Sequence, residues 1–126
     1  AGERDLRRTR VPAMMAAAGT CMIFVTCPDA KVAEAIAKDL VDQHLAACGS
    51  VTPSVTSVYR WKGKVMRERE VLLLLKTRRS LVPACTTVIL ARHPYELPEI
   101  IAVPIVGGLP PYLQWVARET RGGRAR

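Results

Sequence analysis

Histidine is almost missing from this chain. Only His44 and His93 occur among 126 residues, and aromatic residues make up 5%. Histidine-based triads and histidine-rich metal clusters therefore have little to be built from. The GxSxG, Walker, GxGxxG and HExxH signatures are absent as well. Their absence removes the α/β-hydrolase, P-loop, dinucleotide-binding and zincin classes. Gly107-Gly108 precedes no phosphate-binding signature and reads as a tight turn. No base, nucleophile and orienter assemble from the sequence, so enzymatic activity is not expected. No apolar run approaches the roughly 20 residues of a membrane-spanning helix. The longest, Val71-Leu72-Leu73-Leu74-Leu75, lies between Glu70 and Lys76 and suits a buried strand. CxxC and zinc-finger spacings are missing too. Cys21, Cys27, Cys48 and Cys85 read as reduced, mostly buried thiols acting as small hydrophobes.

Hydrophobic residues make up 49% and charged residues 24%. That composition suits one folded domain and excludes disorder over the whole length. The formal net charge is +8. Residues 1–21 hold four arginines against Glu3 and Asp5, and residues 121–126 hold three more. The body, 22–120, holds 12 basic and 9 acidic residues. Most of the excess thus sits on the tails, and nucleic-acid binding, which needs clustered charge on a folded face, is not expected. Residues 1–20 are expected to form a disordered basic extension and 121–126 a basic tail, flanking a domain over 21–120. Met14-Met15-Ala16-Ala17-Ala18 weakly resembles a targeting remnant, and a tag or upstream extension explains it equally. The thiols favour a reducing space, with the cytoplasm as default and a plastid or other organelle as the alternative.

Cys21 to Thr26 is a short strand-type run, stopped by Pro28-Asp29, which open a helix. From Lys31 to His44, Val32, Ala33, Ile36, Ala37, Leu40 and Val41 recur at helical spacing against a charged face. Val51 to Trp61 reads as a strand with an edge position or bulge at Pro53. Lys62-Gly63-Lys64 signals a hairpin turn, and a second long strand returns through Val65 to Lys76. Such a hairpin outruns a small domain's own sheet, and covering its edges calls for oligomerisation. Ser80 is the expected cap of a helix over Leu81–His93, with Pro83 in its first turn. A strand over Glu99–Val103 and a short helix from Pro110-Pro111 follow. The order predicts an α+β, ferredoxin-like βαββαβ sandwich with a long β-hairpin and a short C-terminal helix.

His93-Pro94-Tyr95-Glu96-Leu97-Pro98-Glu99 is the densest polar cluster. Imidazole and carboxylates stiffened by two prolines suit Cu(II) or Zn(II), and an added thiolate would bias the set toward Cu(I) or Zn(II). The competing reading is a helix-to-strand corner whose His93 donates to a backbone carbonyl. His44 reads as a helix-terminal residue complementing the dipole. Tyr59 and Trp61 share one face of the long strand and suit a core or subunit interface.

Six stretches carry a resemblance. They are Val25-Thr26-Cys27-Pro28-Asp29, Leu45-Ala46-Ala47-Cys48, Thr56 to Lys64, Glu70 to Thr77, His93 to Ala102, and Tyr112-Leu113-Gln114-Trp115. In order and spacing the chain resembles the CutA divalent-cation tolerance family. The Leu81-Val82-Pro83-Ala84 run is similar to eukaryotic members. The resemblance implies a ferredoxin-like homotrimer held by the long hairpins, without settled enzymatic activity, and a link to divalent metals, especially copper. Animal members are tied to the folding or membrane anchoring of acetylcholinesterase, and plant members reside in plastids. The family's copper proposals carry over to Cys27, His93 and Glu99. In some bacterial members the cysteine lies two residues earlier, where this chain has Val25.

Four functions compete. The first is a trimeric, copper-binding metal-response protein. The second is a ligand-sensing signalling module, with Tyr59, Trp61, Lys76, Tyr95 and Glu99 lining an inter-subunit cleft. The third is a scaffold or chaperone-like partner of another protein, and the fourth a nucleic-acid binder driven by the tails.

Overall fold

A computed structural model describes residues 19–121. The expected disordered extension over 1–18 and the basic tail over 122–126 lie outside the described residues.

The first strand, β1 (Thr20–Cys27), alternates as its sequence demands. Cys21, Ile23, Val25 and Cys27 are buried, and Met22, Phe24 and Thr26 on the other face are half-buried. Helix α1 (Ala30–Asp42) follows. Asp29, in extended backbone, caps it by accepting a 2.9 Å hydrogen bond from the Val32 N–H. Pro28 therefore stands before the cap and not in the first turn. Ala33, Ile36 and Leu40 are fully buried, and burying each large aliphatic contributes about 1.5–3 kcal/mol. The helix ends earlier than expected. His44 lies beyond it, at φ 58°, with its Nδ1 3.1 Å from the Glu119 carbonyl. Its ring contacts a distant helix, contrary to the dipole reading.

Strands β2 (Cys48–Trp61) and β3 (Lys64–Arg78) form the hairpin. Lys62 and Gly63 join them, both with positive φ (50° and 83°). Two such residues match the right-handed twist of the strands they connect. The register shifts between Val51 and Ser54, placing a bulge at Thr52-Pro53 where proline could not have donated to the ladder. The Thr52 hydroxyl satisfies the Leu72 N–H at 3.0 Å.

A 3₁₀ turn over Arg79–Leu81 leads into α2 (Val82–Arg92). Ser80 lies inside that turn and does not cap the helix. Leu81 occupies the cap without a side-chain bond, and His93 lies just past the end. Strand β4 (Ile100–Pro104) and helix α3 (Pro110–Glu119), opened by its two prolines, complete the chain.

The four strands form one antiparallel sheet in the order β2-β3-β1-β4. This is the ferredoxin-like α+β arrangement. One sheet face packs on α1 and α2, where Ile23, Val25, Leu73 and Leu75 meet Ile36, Leu40, Cys85 and Ile89. On the other face Met22, Phe24, Leu72 and Leu74 are half-buried. β1 ends opposite Val71, so residues 64–70 of β3 pair with β2 alone, through residues 55–61. This two-stranded ribbon carries Val58 and Val65 at 65% and 64% exposure. All four cysteines are free. Cys48 is only half-buried, contrary to expectation, and its Sγ lies 3.5 Å from the Tyr112 hydroxyl.

Candidate functional site

Two features meet where the ribbon leaves the sheet: the His93–Glu99 corner and an open cleft beside it. Proline ends α2 after His93 and holds the segment extended. The His93 ring turns inward and is 8% exposed. Its Nδ1 accepts a 3.2 Å hydrogen bond from the Tyr95 N–H, and its Nε2 lies 2.8 Å from the Thr26 carbonyl. A carbonyl only accepts, so the ring is the neutral tautomer with its proton on Nε2. The backbone-carbonyl reading of His93 is the arrangement observed.

The Tyr95 ring lies against His93, with centroids 4.6 Å apart. Its hydroxyl donates to Glu70 Oε2 at 2.6 Å. Burial, and then the Glu70 carboxylate, push the Tyr95 phenol well above its ordinary pKa. Glu70 is 6% exposed. The described residues form two ion pairs, Lys38–Asp42 and Arg92–Asp39, and Glu70 belongs to neither.

The cleft encloses about 840 Å³. Four carboxylates line it, from Glu68, Glu70, Glu96 and Glu99, against the single guanidinium of Arg60. Tyr59, Trp61 and Tyr95 supply its aromatic walls. Burial and the neighbouring Glu68 carboxylate raise the Tyr59 phenol. Acidic lining within a chain of net charge +8 focuses a negative potential there and favours cations.

Of the residues expected at a subunit cleft, Tyr59, Trp61, Tyr95 and Glu99 line this one. Lys76 stands elsewhere, donating to Ser50 Oγ at 3.0 Å. The three residues carried over for copper do not form a ligand set within one chain. Cys27 is fully buried, and burial first, then Glu70 and Asp29, push its thiol up to about 11. Both His93 nitrogens are engaged, and Glu99 is exposed. Among the described residues no group of three or more His, Cys, Asp or Glu stands close enough to hold a metal ion. Sequence reasoning missed Glu68 and Glu70. The available signal was Glu70 itself, an acid adjoining the apolar run of β3.

The fold and cleft together define a small ferredoxin-like α+β protein with an acidic, aromatic-walled surface site. Residues 21–119 match the CutA1 divalent ion tolerance protein family. The CutA of Thermus thermophilus, a divalent-cation tolerance protein, is 43% identical over 99 residues, covering 79% of this chain and 96% of that protein. Mouse CutA is 52% identical over 97 residues. The chain covers 55% of the mouse protein's length. The crystal structure of CutA from Xylella fastidiosa superposes with a TM-score of 0.79 at 46% identity, covering 82% of this chain and 99% of that one. The chain belongs to the CutA1 divalent ion tolerance family.

Among the described residues no helix is long and apolar enough to cross a membrane.

Proposed function

We propose that this chain is one subunit of a homotrimeric, non-enzymatic divalent-cation response protein of the cytoplasm, and that it meets cations at the acid-lined cleft. The observation that carries this reading is the cleft's four carboxylates against one guanidinium in an otherwise basic chain. Self-association is supported by the ribbon that no third strand covers and by the half-buried apolar face of Met22, Phe24, Leu72 and Leu74. Copper is the finer form of the reading, with Cys27, His93 and Glu99 as its donors. It requires His93 to release Thr26 or Tyr95, at a cost of about 1 kcal/mol per hydrogen bond, and the fully buried Cys27 to leave the core to join His93 and Glu99.

Calorimetric copper titration beside a His93→Ala variant, under reducing and oxidising conditions, tests the donor set. One ion per subunit, lost in the variant, supports it. Binding that is weak, superstoichiometric or unchanged in the variant removes the corner as a copper site. Sedimentation equilibrium tests the trimer, and a monomer at micromolar concentration would overturn it.

A ligand-sensing module is the second reading, favoured by the cleft's aromatic walls and size. A scaffold role toward another protein, as the family resemblance implies for animal members, predicts no stoichiometric metal at all.

A further inference from the structure

We infer that the subunits of the homotrimer dock head to tail, the basic face of one ribbon against the acidic cleft of the next copy, so that Arg67 and Arg69 of one chain complete the cleft of its neighbour. This docking rests on the homotrimer reading and is independent of the copper donors.

Strand alternation gives the ribbon two unlike faces. The register sets Thr56 opposite Arg69, Val58 opposite Arg67 and Arg60 opposite Val65. Residues directly opposite in an antiparallel pair share a face. This face therefore carries three arginines and no acid, and all six of its residues are exposed. The other face holds the pairs Ser57–Glu68, Tyr59–Met66 and Val55–Glu70. All of these but Val55 line the cleft. One face is thus basic and aliphatic, and the other is acidic and aromatic.

Within one chain these charges do not meet. Successive side chains of a strand point to opposite sides, so Arg67 and Arg69 alternate with Glu68 and Glu70 without facing them. Neither arginine lines the chain's own cleft. Among the described residues no side-chain hydrogen bond or ion pair engages either guanidinium. A second copy supplies what the first cannot reach, and the match goes beyond sign. Val58 and Val65, at 65% and 64% exposure, need apolar cover, and the cleft offers Tyr59 and Trp61. Aromatic rings also stack with guanidinium planes. Opposed potentials of this kind fix the register of an interface. Because each copy gives one face and receives on the other, the contact is heterologous, and repeating it closes a ring. A trimer is such a ring.

The test is sedimentation equilibrium of the full chain over a dilution series. Beside it run an Arg67→Glu/Arg69→Glu variant, a Glu68→Arg/Glu96→Arg variant and a chain carrying all four changes. All four positions are exposed, and circular dichroism checks that each variant is folded. Each double variant should associate about a hundredfold or more weakly than wild type, because like charges then meet across the interface. The fourfold variant should regain most of that loss, since both faces have changed sign. If a double variant does not fold, the fourfold chain and the salt dependence decide. Both it and wild type should associate, and both should weaken toward about 1 M NaCl, where the screening length falls to about 3 Å. A trimeric wild type whose association is unchanged by the double variants, is not restored in the fourfold chain, or ignores salt overturns this docking and leaves the trimer standing. A monomeric wild type sinks the homotrimer reading and the docking with it.

Discussion

Gly49→Ala should destabilise the protein although the backbone there can take any side chain. Gly49 lies in β2 opposite Leu75, and its φ is not in the left-handed region. A Cβ placed on it would stand 2.9 Å from Ala37 Cβ, 3.0 Å from Leu75 Cδ2 and 3.3 Å from Leu73 Cδ1. The leucine methyls can give by small rotations. Ala37 Cβ cannot, because it is fixed to helix α1, so relief requires α1 to move off the sheet. Overpacking of this kind costs about 1–3 kcal/mol. Replacing glycine lowers the unfolded chain's entropy and returns about 0.4–1 kcal/mol. The net loss is about 0–2.6 kcal/mol. Urea denaturation at fixed protein concentration measures it as a lower midpoint with unchanged slope. Ala37→Gly alone costs about 1 kcal/mol of helix propensity. Combined with Gly49→Ala it removes the 2.9 Å contact, so the double-mutant cycle should show favourable coupling of about 1 kcal/mol. A stabilising Gly49→Ala, or strict additivity in the cycle, would refute the reasoning.

Other perturbations probe the core and the corner. Thr77 is fully buried and donates to the Leu45 carbonyl at 2.6 Å, while Cys85 reaches the same oxygen at 3.3 Å. Thr77→Val should cost about 1 kcal/mol in urea unfolding, and adding Cys85→Ala should cost more than the two alone, because the carbonyl then loses both donors. The Cys27 and Cys85 thiols are raised from 9.0 to about 11, chiefly by burial. The unfolded chain therefore releases these protons first, and stability present below pH 9 should be lost as pH rises from about 9 to 11. A Cys27→Ala/Cys85→Ala chain should show a flatter decline of Tm over that window, and an identical decline would disprove the link. Without any metal, His93→Ala should lower stability by about 2 kcal/mol, because the Thr26 carbonyl and the Tyr95 N–H lose their partner. Equal thermal melts of metal-free wild type and variant would contradict that role.

Much of the fold was legible because it is encoded locally. The alternation of β1, the three- and four-residue spacing of α1, the bulge at Pro53 and the Lys62-Gly63 turn each follow from side-chain period or backbone dihedral preference. Helix ends were read less well. Ser80 looked like a cap and is not one, because the 3₁₀ turn over Arg79–Leu81 places it inside the bend. His44 looked like a helix terminus, yet the chain leaves α1 before it.

The site divides along the same line. The sequence by itself determined that His93, Tyr95 and Glu99 form a stiff polar corner, that Tyr59 and Trp61 share a strand face, and that the hairpin overreaches its sheet. Only the tertiary structure decided what these groups touch. His93 bonds to Thr26, 67 positions away, and Tyr95 bonds to Glu70, 25 positions away. Neither pairing has a period or spacing that announces it. Each depends on the sheet order β2-β3-β1-β4, which sets β3 beside β1 and lets the segment after α2 return across their ends. Burial of Glu70 with no cation paired to it among the described residues, and the engagement of both His93 nitrogens, are likewise products of packing. Local patterns specify which face a side chain takes, while its partners are set by contacts between strands and segments far apart in the chain.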